Sequence, residues 1–195
     1  MSDRSALSVS AWALILGAVG ILLLPLPWLV SAAFAACFHE ACHLMALRLL
    51  NGRLMGIRIG GHGAVIRAGE LSAPRELICL LAGPVGSLSL LLFARYIPRV
   101  AVCALLQSAY NLLPLYPLDG GRALRCIARL TLPPDRADRF CAVAENVCRG
   151  VIVICLGYLT VKFGLGMLPV LAGILILLGV QEGNSACKVA ALGVQ

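Results

Sequence analysis

Two of the chain's three histidines stand four apart, in His39-Glu40-Ala41-Cys42-His43. On a helix, positions i and i+4 share a face, so both imidazoles can reach one metal ion. Glu40 follows the first of them, where a carboxylate can serve as base for a water at that ion. Three histidines and five glutamates scattered over 195 positions would produce H-E-x-x-H on the order of 10⁻³ times. The bland alternative is a helix whose imidazoles only hydrogen-bond to neighbours. Ionisable side chains inside an apolar span are costly and usually functional, so the motif is read as a metal site.

A catalytic zinc takes three protein ligands and keeps one position open. Asp119 is the candidate third ligand, in Asn111-Leu112-Leu113-Pro114-Leu115-Tyr116-Pro117-Leu118-Asp119-Gly120-Gly121. The sequence places it at the end of a helix, on the side of the membrane nearer His43. His43 itself lies about 10 Å before the end of its own helix at 1.5 Å per residue. Alone, Asp119 reads as a solvated helix-end acid. Beside H-E-x-x-H it reads as a ligand. His62, within Gly60-Gly61-His62-Gly63, is a rival third ligand, although a histidine flanked by glycines is usually a turn residue. Glu145 and Arg149, four apart, read as a local helix pair.

The elements that carry these residues are set by composition. The chain is 61% hydrophobic and 13% charged, with a mean hydropathy of +0.95. Soluble domains are nearer half apolar and a quarter charged. That excludes an ordinary soluble enzyme, a disordered chain and a nucleic-acid-binding domain, and leaves a multi-pass membrane protein. The nine cysteines form no C-x-x-C pair and read as small reduced hydrophobes. One apolar helix of ~20 residues crosses a bilayer. The 34 uncharged positions between Arg4 and His39 are too many for one span, and Pro25 and Pro27 divide them. Six helices are expected, over 9–24, 28–50, 77–94, 100–118, 143–161 and 163–181. The expected fold is thus an all-α polytopic membrane protein, a single domain over residues 1–195 without a CBS or PDZ domain.

One segment departs from that pattern. Between Arg48 and Glu76, the short apolar runs Leu54–Ile59 and Ala64–Ile66 flank the Gly60–Gly63 turn. This is a β-hairpin signal. Such a hairpin is too short and too charged to span, and at membrane depth it must be shielded by protein or line a wet cavity. The net charge of +7 is divided unequally among the loops. Thirteen basic residues fall on one side of the six-helix arrangement and three, Arg95, Arg99 and Lys162, on the other. The positive-inside rule then puts both termini in the cytoplasm.

H-E-A-C-H on the second helix, Leu81-Ala82-Gly83-Pro84 on the third and N-L-L-P-L-Y-P-L-D-G-G at the fourth, in this order, resemble the site-2 proteases, intramembrane zinc metallopeptidases. Within that family the pattern is most similar to the stage IV sporulation proteases of FB type. The resemblance covers about residues 9–181. It implies one zinc per chain held by His39, His43 and Asp119, with Glu40 as catalytic base. It implies that Asn111 orients substrate or stabilises the oxyanion. It also implies a membrane-dipping hairpin, turning at Gly60, Gly61 and Gly63, against which an extended substrate pairs. The expected partners are a transmembrane or membrane-associated protein substrate and a membrane-bound regulator, with no nucleic acid.

Two other functions fit parts of the pattern. A membrane zinc transporter needs a polar path across the bilayer, yet residues 28–38 and 100–108 contain no His, Asp or Glu. A catalytically inactive binding scaffold would show the loss of Glu40 or of a ligand, and all four residues are present.

Overall fold

The computed structural model describes residues 8–9, 21, 24–52, 54–60, 63–68, 72–164 and 173. It divides into two compact units, Met1–Leu113 and Pro114–Gln195. Of the expected helices, most of 9–24 and nearly all of 163–181 lie outside the described residues. So do residues 61 and 62 of the glycine turn, and with them the rival ligand His62.

The first unit is built on α1 (Leu26–Leu49), α2 (Ala73–Ser89) and α3 (Pro98–Asn111). Pro25 and Pro27 stand at the start of α1, where a missing N–H costs nothing because the first turn has no intrahelical partner for it. The far end closes at Asn51, whose φ of 54° is left-handed, with the Gly52 N–H donating to the Leu47 carbonyl at 2.8 Å. Asparagine is one of the few residues that accepts this conformation at a helix end. The buried residues of α1 are Ser31, Ala35, His39, His43 and Leu47, one every four residues. Val30, Phe34, Met45 and Leu49 are exposed. A helix that turns large apolar side chains outward and its two histidines inward is patterned for a lipid surround.

α2 runs on into a 3₁₀ turn, Leu90–Phe93. Ala35, Leu90 and Ala104 form the buried contact of the three helices, with Phe38 and Cys103 packed against it. Small residues let helix backbones approach closely where lipid offers no hydrophobic driving force.

Two strands follow α1: β2 (Leu54–Gly60) and β3 (Gly63–Ala68), antiparallel, with Ile57 opposite Ile66 and Gly60 opposite Gly63. A two-residue strand near the N-terminus, β1 (Ser8–Val9), pairs in parallel with Arg58 and Ile59 of β2. The sheet order is β1-β2-β3, so β3 is an outer strand.

The second unit contains α4 (Asp119–Thr131) and α5 (Pro134–Phe163), joined by Leu132 and Pro133. Ala128, Ala137 and Cys141 form their shared buried contact. Among the described residues the eight cysteines are all free.

Element boundaries differ most from the expectation between residues 112 and 142. The helix expected over 100–118 ends at Asn111. Pro114 and Pro117 explain this, since proline lacks an N–H and disfavours helix in the residue before it. Asp119 therefore does not close that helix; it opens the next one. The stretch 120–142, which falls between two of the expected helices, is mostly helical, and α5 begins nine residues before 143. Its charged residues sit on helical turns, for which Arg and Ala are good formers.

Among the described residues, three helical segments are long and apolar enough to cross a membrane: Leu26–Leu49, Ala73–Phe93 and Pro134–Phe163. α3, at 14 residues, is about 21 Å long, short of a hydrocarbon core of about 30 Å.

Candidate metal centre

The four-residue repeat of α1 brings His39 and His43 to one buried face, 1% and 7% exposed. Their Nε2 atoms lie 3.2 Å apart and the rings meet edge-on, at 78°. Each ring is held from behind by α2. His43 Nδ1 is 2.8 Å from the Cys79 carbonyl, and His39 Nδ1 is 3.0 Å from Ser87 Oγ. The amide nitrogen of Asn111, the last residue of α3, is 3.5 Å from His39 Nε2.

A carbonyl oxygen only accepts, so His43 Nδ1 carries the proton and donates. With its own proton on Nδ1, donated to the Ser87 hydroxyl, His39 turns an Nε2 lone pair toward His43 and the Asn111 amide. Both Nε2 atoms are then acceptors, turned toward each other. Metal-binding histidines are held in this way, the far nitrogen donating to a carbonyl or hydroxyl and the near one offering its lone pair. The donor set and its tautomers therefore fit a divalent cation.

α2 can approach this closely because of two glycines. A Cβ at Gly83 would collide with the His43 imidazole, and one at Gly86 with the Cys42 side chain. Cys79, Gly83 and Ser87 recur every four residues, so one stripe of α2 lies along the histidine face. Pro84 lies inside that helix, and the Ser108 hydroxyl donates to its carbonyl at 3.3 Å. This bond ties α3 to α2 one turn before Asn111.

Glu40 is partly buried, with its Oε2 out of solvent. At 3.6 residues per turn it stands about 100° round the helix from His39 and about 60° from His43. It flanks the imidazoles without sharing their stripe. Asp119 is partly buried in the first turn of α4, where a carboxylate is favoured by the positive end of the helix dipole. Leu115, Pro117 and Leu118 are buried beside it in sequence, and the Tyr116–Pro117 peptide is cis. A Cβ at Gly121 would strike the Leu115–Tyr116 backbone, so the first turn of α4 rests directly on the loop before it.

The histidine pair and Asn111 are thus brought together within the first unit. Gly60 and Gly63 end the paired strands. Cys79, Gly83 and Ser87 were not legible as site residues, although their four-residue spacing of short side chains marks a face suited to close helix packing.

The structure aligns with that of a "Site-2 Protease from Methanocaldococcus jannaschii" at a TM-score of 0.61, with 17% identity, over 88% of this chain and 85% of that one. The fold is that of a site-2 protease. No protein-family model and no curated protein matches the chain. At this identity the likeness fixes the site-2 protease fold, and the chemistry must be argued from the residues.

Gly83→Ala is expected to displace the His43 ring, and Ser87→Ala to free the His39 ring. Loss of such supporting partners costs about 10- to 100-fold in metal affinity. Zinc competition with a chelator measures both, and wild-type affinity in both variants would refute the supporting role of α2.

Proposed function

We propose that the chain is an intramembrane zinc metalloprotease that hydrolyses a peptide bond in a membrane-embedded or membrane-associated protein. The observation that carries this reading is the buried histidine pair, with both Nδ1 atoms held and both Nε2 atoms turned to one point, on an H-E-x-x-H helix in a site-2 protease fold. In this reading His39, His43 and Asp119 would be the ligands, and two imidazoles with one carboxylate suit catalytic zinc. A metal held there would supply Lewis-acid polarisation of the scissile carbonyl and would acidify a water toward neutrality.

The protein's residues do the rest. Glu40 takes the proton of the attacking water and returns it to the leaving amine. Asn111, its amide beside His39, holds the substrate carbonyl as negative charge develops on its oxygen. Co-expression with candidate membrane-bound pro-proteins, wild type against Glu40→Gln, tests the activity. Cleavage that depends on Glu40 supports the reading. A role in sporulation is the narrower form of the proposal, and it requires such a substrate to be a sporulation protein.

A peptide bond in a lipid-embedded helix is already hydrogen-bonded, so the substrate must unwind locally. Its freed N–H and C=O groups then need partners. In this reading the β2–β3 hairpin provides them by strand addition. Ile57→Pro and Val65→Pro each remove one backbone donor, and at least one should lower cleavage while zinc content and expression hold. Unchanged cleavage of every substrate in both variants would remove the hairpin from the mechanism.

The basic-residue asymmetry supports six spans with both termini in the cytoplasm. Cysteine labelling at positions 5, 98 and 193 in a cysteine-depleted background should mark only position 98 from outside intact cells. External labelling at 5 and 193 would reverse the topology.

A further inference from the structure

Glu145 is the one acid in the middle of α5's sequence that is buried, 7% exposed. A carboxylate taken out of water needs charged partners, and Glu145 has two. Its Oε1 accepts from Arg125 Nη2 of α4 at 2.8 Å, while Oε2 lies 3.8 Å from Arg149, one turn along α5. The shorter contact is the one between helices, so Glu145 is more than half of a local helix pair. The Arg125 guanidinium also lies over the Tyr116 ring, 4.1 Å from its centre. Tyr116 belongs to the loop that leads into Asp119, and Gly121 seats the first turn of α4 on that same backbone. The buried carboxylate thus anchors an arginine, and the arginine covers the aromatic ring three residues before Asp119.

We infer that Arg125 and Glu145 are positioning residues that hold Tyr116, and through it the Pro117–Asp119 turn, in the orientation from which Asp119 binds metal. The inference rests on the reading of Asp119 as third ligand. A guanidinium suits this place because its flat face stacks on the ring while its edge meets the carboxylate. Lysine offers a point charge and cannot do both.

The test is zinc affinity of the full-length protein in detergent, by chelator competition, with the visible spectrum of the cobalt-loaded protein as a second readout. Arg125→Met, Glu145→Gln and Tyr116→Leu should each weaken zinc about 10- to 100-fold, the range for loss of a residue that orients a ligand. Each should also shift the cobalt band. In an Asp119→Ala background, Arg125→Met should cause no further loss, because both act through one carboxylate. Wild-type affinity and spectrum in Arg125→Met and Tyr116→Leu, with weakened zinc in Asp119→Ala, would overturn the positioning role and leave the ligand reading standing. Wild-type affinity in Asp119→Ala would overturn the ligand reading and the positioning role with it. Additive losses in the Asp119→Ala background would reduce the arginine to general packing and also overturn the inference.

Discussion

Glu40→Gln is expected to lower peptide cleavage by about 10²–10⁴-fold, the usual worth of a positioned general base, with zinc content and thermal unfolding unchanged. Glutamine has nearly the volume of glutamate and keeps the helix, but its amide cannot accept a proton at neutral pH. Glu40 stands on the flank of the histidine face, off the stripe that carries His39 and His43, so its replacement leaves both imidazoles and their α2 partners in place. That separates it from the ligand variants, which should lose metal and activity together. Cleavage of a co-expressed substrate and zinc per purified chain are the paired measurements. A Glu40→Gln protein that still cuts at a comparable rate would end the general-base assignment.

The second large effect is on the metal itself. Purified wild-type protein should carry one zinc per chain, and His39→Ala, His43→Ala and Asp119→Ala should each lose most of it. Removing a donor atom should exceed the about 10- to 100-fold cost of removing a residue that only orients one. The two histidine variants carry a further cost. His39→Ala leaves the buried Ser87 hydroxyl without its ring N–H, which costs about 1–3 kcal/mol of stability, and His43→Ala takes the ring N–H from the part-buried Cys79 carbonyl. Asp119→Ala carries no such cost through α2, so it should lose zinc with the smaller drop in unfolding temperature. Elemental analysis alongside thermal unfolding checks both. Absence of zinc from wild type, or full zinc in all three variants, would refute the metal assignment.

The sequence by itself determined what depends on spacing along one helix and on side-chain chemistry. His39 and His43 share a face because residues four apart must do so on any helix. The apolar composition demanded a membrane-compatible chain, and Pro25 and Pro27 set the start of α1, because a missing N–H acts wherever the chain goes. The same rule, applied to Pro114 and Pro117, would have ended α3 early; the uncharged run through Leu118 hid it, and Asp119 was placed at a helix end when it stands at a helix start. Tertiary structure decided the rest. The groups that hold the two rings from behind lie 36 and 48 residues from their histidines. Such contacts follow from which helix packs on which, and that is set by the fit of Gly83 and Gly86 against α1, not by local spacing. Glu145 makes the same point. Its spacing to Arg149 suggested a local pair, but packing of α4 on α5 gave it a closer partner in Arg125. A buried carboxylate takes the donor that the fold delivers to it, because burial raises the cost of leaving it unmet above any preference written along one helix.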